Sequence, residues 1–162
     1  MRSSRVVLLA AVALVLIWTA TAAGRYRLVV TSEEGNTLWT AAVSNGSAVI
    51  LEYTNSLYLA QTQEHFIVTP RGFALREIWS TSDAVLASNS LPGPYARQGS
   101  FFVSPVKAFV PHIVTRIGPT GRQTLLVGDQ EVPLYQAGTG VRVTIMLRRD
   151  FPPASFRSLL EH

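Results

Sequence analysis

Apolar and polar residues alternate in several short segments of this chain, and this alternation constrains its fold more than any other feature. The clearest segment, residues 141–147, places valine, isoleucine or leucine at every second position, with Arg142 and Thr144 between them. Residues 49–53 alternate in the same way. Successive side chains of a strand point to opposite faces, so both patterns predict strands with one buried face.

Turn-forming residues separate the strand-like segments. Pro70-Arg71-Gly72 lies between two apolar, β-prone runs, residues 65–69 and 73–79, which predicts a hairpin. Residues 118–121, Gly-Pro-Thr-Gly, predict a further turn. Short strands divided by turns in this way are typical of all-β domains. The sequence therefore predicts an all-β fold, an antiparallel sandwich or small barrel of roughly seven to ten strands.

Three other segments carry structural expectations. Pro152-Pro153 precedes residues 154–161, the segment that reads as helical, which predicts one short C-terminal helix. Residues 88–105 are rich in Ser, Gly and Pro and predict a long irregular loop, although Phe101-Phe102-Val103 favours a short strand over an exposed aromatic surface. Asn45-Gly46-Ser47 fits a glycosylation triplet, but Asn-Gly is a strong turn signal and we favour a turn.

The N-terminal segment is typical of an exported chain. Arg2 and Arg5 precede an unbroken apolar run of 13 residues, 6–18, and Ala20-Thr21-Ala22 follows as a small-x-small cleavage site. A spanning helix needs about 20 residues, a length that residues 6–23 approach. The segment is therefore predicted to be a signal peptide cleaved after Ala22, or else an uncleaved membrane anchor. Either outcome leaves residues 23–162 as a single exported β domain, periplasmic or extracytoplasmic.

Composition excludes several classes of function. The chain contains no cysteine, which rules out disulfides, thiol nucleophiles and Cys-ligated zinc. Of the 14 basic residues, two belong to the N-terminal segment, so the exported domain carries 12 against 10 acidic residues, a net charge of +2. The remaining arginines are scattered, whereas nucleic-acid binding usually shows a basic stripe. The sequence therefore predicts no nucleic-acid partner and no cofactor.

The densest group of polar side chains lies in residues 53–65. Tyr53, Asn55, Ser56 and Glu64 are the candidate binding residues, on the hypothesis that Asn55, Ser56 and Glu64 converge at the mouth of a sheet. The alternative is a loop between strands in which Asn and Ser cap backbone groups, as these side chains often do.

Catalytic and metal-binding sites find weaker support. A hydrolase would use Ser56 or Glu64 with His65 or His112 as the base, but no nucleophile-elbow glycines surround Ser56. Glu64 and His65 are neighbours, so on a strand they point to opposite faces. No group of histidines and carboxylates has ligand spacing, and we predict no metal site.

The order of these segments resembles a bacterial family. Leu51-Glu52-Tyr53-Thr54-Asn55-Ser56, followed by Glu64 and a strand, is similar to the Tyr-Thr-His-Ser motif and later glutamate of domain-of-unknown-function family eighteen-fifty. The resemblance extends over most of residues 52–148. It implies a small exported protein, often encoded beside TAXI-type TRAP solute transporters. Asn55 stands where the family usually has histidine, which lowers the expectation of an enzyme.

Together these observations favour a non-enzymatic exported accessory protein associated with solute transport. It would bind a TRAP/TAXI transporter component or its solute through residues 53–65 and the 88–105 loop. Two alternatives stay open: a periplasmic hydrolase using Ser56 and Glu64, and a structural envelope domain tethered to the membrane by residues 6–23.

Overall fold

The computed structural model describes residues 25–149, so the predicted signal segment and the predicted C-terminal helix lie outside the described residues. Within them the chain forms eleven strands, one α-helix and one 3-10 helix. The elements are β1 (Arg25–Ser32), β2 (Thr37–Ser44), β3 (Ala48–Asn55), β4 (Ala60–Thr69), β5 (Gly72–Ser80), α1 (Asp83–Ser88), β6 (Ala96–Gln98), β7 (Phe101–Val110), β8 (His112–Arg116), β9 (Thr124–Val127), β10 (Gln130–Val132), the 3-10 helix (Leu134–Ala137) and β11 (Arg142–Arg149). No helix in this part of the chain is long and apolar enough to span a membrane.

The strands form two antiparallel sheets. The four-stranded sheet has the order β2-β1-β11-β8, and the seven-stranded sheet has the order β10-β9-β3-β4-β5-β7-β6. Neither sheet closes on itself, so the predicted all-β fold is confirmed as a sandwich-like pair of sheets and not as a closed barrel. The predicted number of strands, seven to ten, was too low.

The core lies between the inner faces of the two sheets. Leu28, Val30 and Ile145 of the four-stranded sheet belong to the same buried cluster as Leu51 and Phe73 of the seven-stranded sheet. The alternation read from the sequence predicts this correctly for β11 and β3, whose buried residues fall at every second position. Burying these faces against each other supplies the main hydrophobic stabilisation of the domain.

Three predicted turns form, but only one of them connects strands that pair with each other. Pro70-Arg71 closes the β4–β5 hairpin as expected. Residues 118–121 instead carry the chain from β8 in one sheet to β9 in the other, and Asn45-Gly46 likewise joins β2 to β3 across the sandwich. Turn residues predict a reversal of direction, but they do not determine whether the next strand pairs within the same sheet.

The region predicted as a long loop is more regular than expected. Helix α1 ends at Ser88, β6 follows, and β7 begins at Phe101, so the irregular part spans residues 89–95. Helix α1 was not predicted, because its six residues are too few to show helical periodicity. It contacts β5, and its Val85 and Leu86 are fully buried.

Candidate functional site

The structure brings two of the four predicted binding residues into direct contact. Tyr53 on β3 and Glu64 on β4 lie on the inner face, and the Tyr53 hydroxyl donates a hydrogen bond of 3.0 Å to Glu64 Oε1. The strand register explains the contact, because Leu51 is directly opposite Glu64 and Tyr53 is the next β3 residue on that face. The pair therefore sits at one end of the buried core.

Burial shifts the pKa values of this pair. Loss of solvent raises the pKa of the Glu64 carboxyl above its ordinary value, and the hydrogen bond from Tyr53 acts in the opposite direction. Burial and the nearby Glu64 also raise the pKa of the Tyr53 hydroxyl, which keeps it protonated as the donor. A half-buried carboxyl bonded to one neutral donor is a position where charge reduces stability.

Asn55 and Ser56 lie apart from this pair. Asn55 is opposite Ala60 in the register, four residues along β4 from Glu64, or about 13 Å at the usual rise of a strand. Its Oδ1 accepts hydrogen bonds of 3.1 Å from the backbone amides of Leu57 and Tyr58. Ser56 is exposed in the same turn. Asn55 therefore adopts the capping role that was the alternative to a binding role, and the expected convergence with Glu64 does not occur.

The turn that Asn55 caps carries a feature that the sequence reading missed. Leu57 and Leu59 are 77% and 72% exposed, and Tyr58 between them is 39% exposed. We call Leu57-Tyr58-Leu59 the apolar tip. The backbone of Leu59 adopts φ +50°, a left-handed conformation that residues other than glycine, asparagine and aspartate rarely adopt. Exposed apolar side chains next to each other on a strained turn suggest a binding surface. The surrounding residues, 53–63, carry no charge, so the surface around the apolar tip is neutral.

A second group of side chains lies on the outer face of the seven-stranded sheet. The rings of His65 and Trp79 stack with centroids 4.5 Å apart, and Phe101 lies 5.9 Å from Trp79 on the other side. Two carboxylates border this aromatic row: Glu77 accepts from the Trp79 indole at 2.8 Å, and Glu52 accepts from Gln63 at 2.7 Å. The 53–65 segment and the 88–105 stretch thus meet at this row, although the sequence analysis named only some of its members.

The segment that opens β7 follows the favoured interpretation. Phe101-Phe102-Val103 forms the start of the strand, with Val103 buried and the two phenylalanines half-buried. Arg97 of β6 lies over the Phe102 ring at 4.2 Å. Tyr95 donates a hydrogen bond of 2.7 Å to the Leu91 carbonyl and so closes its own loop.

The geometry that a hydrolase requires is not formed by the predicted residues. His65 hydrogen-bonds Gln63 at 3.0 Å on the outer face, whereas Glu64 points to the inner face. Burial lowers the pKa of His65, and the nearby Glu77 acts in the opposite direction. His112 belongs to β8 in the other sheet, and Ser56 lies in the exposed turn that follows β3. Among residues 25–149 no three histidine or acidic side chains gather into a metal-binding group.

Two surface clefts lie elsewhere. One of about 290 Å³ is lined by Ile117, Pro119 and the pair Arg122 and Tyr135, whose guanidinium lies 5.0 Å from the ring centroid. The other, of about 270 Å³, lies between β2 and the β9–β10 turn. Neither of these two clefts includes a predicted binding residue.

Comparisons with protein-family models, curated proteins and solved structures found no match to this chain. The resemblance to family eighteen-fifty therefore stays a prediction.

Proposed function

We propose that this protein is a non-enzymatic exported accessory module that binds a protein component of a TRAP/TAXI-type transporter through its apolar tip. The observation that carries the proposal is the exposure of Leu57 and Leu59, 77% and 72%, on a turn whose backbone amides donate two hydrogen bonds to Asn55 Oδ1. A turn whose backbone is already fixed loses less conformational entropy when a partner covers its apolar side chains. The transporter association itself comes from the family resemblance.

The shape of the site favours a protein partner over a solute. Small-molecule sites are concave and enclose most of the ligand, whereas the apolar tip lies in an exposed turn of four residues, 56–59, between two strands. A convex apolar turn fits into a pocket of another protein. The aromatic row of His65, Trp79 and Phe101 lies on β4, β5 and β7, and β4 is one of the two strands that the turn connects. The partner could contact this row in addition to the apolar tip.

The hydrolase alternative receives less support from the same geometry. An enzyme would need Ser56 or Glu64 within hydrogen-bond reach of a histidine, and the partners of Glu64 and His65 lie on opposite faces of β4. The tethered structural domain predicts no binding partner, so the binding experiment also tests that alternative.

The test measures affinity between the full chain and two purified probes, a TAXI-type solute receptor and the membrane subunits of its transporter. We expect one of them to bind, and the double variant Leu57→Ser with Leu59→Gly to weaken binding at least about tenfold, since each leucine buried at an interface contributes more than about 1 kcal/mol. Val114→Ser is the matched control, because Val114 is 50% exposed on the other sheet.

Three results are informative. Loss of binding in the double variant alone supports the proposal. Equal binding by the wild type and the double variant shows that a partner exists but does not use the tip. Absence of binding to both probes contradicts the proposed association and favours a structural domain.

A further inference from the structure

The four edges of the two sheets differ in how well they are protected. The backbone groups of an edge strand are unpaired on one side and can pair with another chain, so natural proteins keep edges short, charged or interrupted by proline. In the seven-stranded sheet the edge strands β6 and β10 have three residues each, and they contain Arg97 and Glu131. The edge strand β8 has five residues, follows Pro111 and ends at Arg116.

Strand β2 is longer than the other edges and has neither charge nor proline, so a bulge near its start is its one interruption. It has eight residues, Thr-Leu-Trp-Thr-Ala-Ala-Val-Ser, with no charge and no proline. One register shift, at Leu38, interrupts its pairing with β1, because Trp39 is opposite Val30 and Thr37 is opposite Thr31. The six residues 39–44 therefore form a regular, neutral edge, and Thr40, Ala42 and Ser44 are exposed along it.

We infer that β2 is a docking edge for the β2 strand of a second copy of this chain. Two antiparallel β2 strands related by a twofold axis would extend the sheet across both copies, and the contact would be isologous. No like charges would face each other across the axis, since the strand carries none.

The side chains of β2 favour a second copy over a foreign peptide. Strand addition takes its specificity from pockets for alternate side chains of the incoming peptide. The exposed positions 40, 42 and 44 are Thr, Ala and Ser, whose small side chains offer few contacts that would select a particular foreign sequence. Small neutral residues accept an identical strand without steric conflict. The cleft of about 270 Å³ beside Ala41 and Val43 leaves room along the inner side of the edge.

The size of the contact sets the strength of the expected dimer. A strand-to-strand contact over six residues is small beside the roughly 1,200–2,000 Å² of a stable interface. The dimer is therefore reversible and concentration-dependent, and a covalent trap measures it better than a mass in dilute solution. The chain contains no cysteine, so a single introduced cysteine reports on one position.

The experiment introduces single cysteines into the full chain at Thr40, Ala42 and Ser44, with Val114→Cys on β8 and Leu57→Cys in the apolar tip as exposed controls. Oxidised samples are compared with reduced samples on non-reducing gels. Directly opposite residues in antiparallel strands lie about 4.5–5.5 Å apart, within the range of a disulfide. Each step of one residue from the axis separates equivalent residues by about 7 Å more along the strand.

We expect Ala42→Cys, near the middle of residues 39–44, to give at least fivefold more cross-linked dimer than either control, with a steep fall at Thr40→Cys and Ser44→Cys. This gradient is the signature of an antiparallel pairing about a twofold axis. Equal yields at all five positions indicate random collision and overturn the inference. A yield at Ala42 no higher than at Val114 overturns it as well.

Discussion

The two ends of strand β3 are built differently, although they belong to one strand. At its start the chain turns through Asn45-Gly46-Ser47, where Gly46 adopts φ +87° and the Ser44 amide donates to Ser47 Oγ at 3.0 Å. At its end the chain turns through residues 56–59, where Leu59 adopts φ +50° and two leucines are exposed. The first turn uses glycine for a left-handed conformation, and the second uses leucine.

The difference extends into the strand itself. Next to the first turn, Val49 is fully buried among apolar side chains. Next to the second, Tyr53 bonds the half-buried carboxyl of Glu64. At the first end a glycine turn, a serine cap and a buried valine all favour stability. The second end combines backbone strain, exposed apolar surface and a half-buried acid. Local departures of this kind are expected at functional sites. This contrast supports the proposal that the partner binds at the end of β3 that carries residues 56–59.

The largest effect we predict sets the scale for comparing the two ends. Leu51, between them, is 3% exposed and lies opposite both Glu64 and Leu125. Leu51→Ala should lower the free energy of unfolding by about 3 kcal/mol, because it leaves a cavity in the core. Urea denaturation measures this, with Ile50→Ala on the outer face as the control. A loss no greater than that of the control would mean that β3 is not a central core strand.

The next prediction concerns the caps of the two turns. Asn55→Ala removes an acceptor from the amides of Leu57 and Tyr58, whereas Ser47→Ala removes one from the Ser44 amide. We expect Asn55→Ala to reduce stability by about 1.5 kcal/mol and Ser47→Ala by about half as much, in proportion to the bonds lost. Thermal and urea unfolding of both variants compare them. A larger loss of stability in Ser47→Ala than in Asn55→Ala would show that the side-chain cap contributes more to the first turn than to the second.

The third prediction concerns glycine in the first turn. No atom lies within 4 Å of a Cβ placed on Gly46, so the left-handed backbone is what opposes a side chain there. Gly46→Ala should reduce stability by about 1 kcal/mol. Gly93, which does not adopt positive φ, provides the control Gly93→Ala. Equal losses in the two variants would remove the conformational explanation.

The sequence predicts features that depend on neighbouring residues of the chain better than contacts between residues that are distant in the sequence. Alternation in residues 49–53 and 141–147 predicts the buried faces of β3 and β11, because side-chain direction is a local property of a strand. Tyr53 and Glu64 are both candidates from the sequence, but their contact follows from the register of β3 and β4, which places Leu51 opposite Glu64 and Tyr53 diagonal to it.

The rest depends on partners that the sequence does not reveal. Trp79 and Phe101 meet because β5 and β7 are neighbours, which no turn signal predicts. The residues of the apolar tip look like core residues, because three large apolar side chains in a row are usually buried. Their exposure follows from their position in the turn between β3 and β4.

The fourth prediction reverses the sign of the third. Leu59→Gly should raise the free energy of unfolding by about 0.5 kcal/mol, since glycine relieves the left-handed strain but gives the unfolded chain more freedom. Leu57→Gly, at a neighbouring exposed position without a positive φ, is the control and should reduce stability. Opposite signs for Leu59→Gly and Gly46→Ala would establish that the two turns differ as described. A loss of stability in Leu59→Gly would show that this turn is not strained.

The last and smallest effect at neutral pH concerns Glu64, whose hydrogen bond from Tyr53 a glutamine can still accept. Because burial raises the pKa of Glu64 in the folded protein, the unfolded carboxyl, near its ordinary pKa of about 4.3, ionises first as the pH rises. The folded state then holds more protons than the unfolded state, so stability falls as the pH rises from about 4 through the raised pKa of Glu64, and the loss remains above that pKa. Below that window both states are protonated and the contribution disappears.

Glu64→Gln removes this titration. The variant should match the wild type below about pH 4 and become the more stable of the two as the pH rises to neutral, in urea denaturation measured across that range. Tyr53→Phe is the informative companion, because the Tyr53 hydroxyl lowers the pKa of Glu64 and its loss should steepen the pH dependence. If the free energy of unfolding has the same pH dependence in the wild type and Glu64→Gln, ionisation of Glu64 does not destabilise this end of β3. The contrast between the two ends would then rest on the strained turn and its exposed leucines alone.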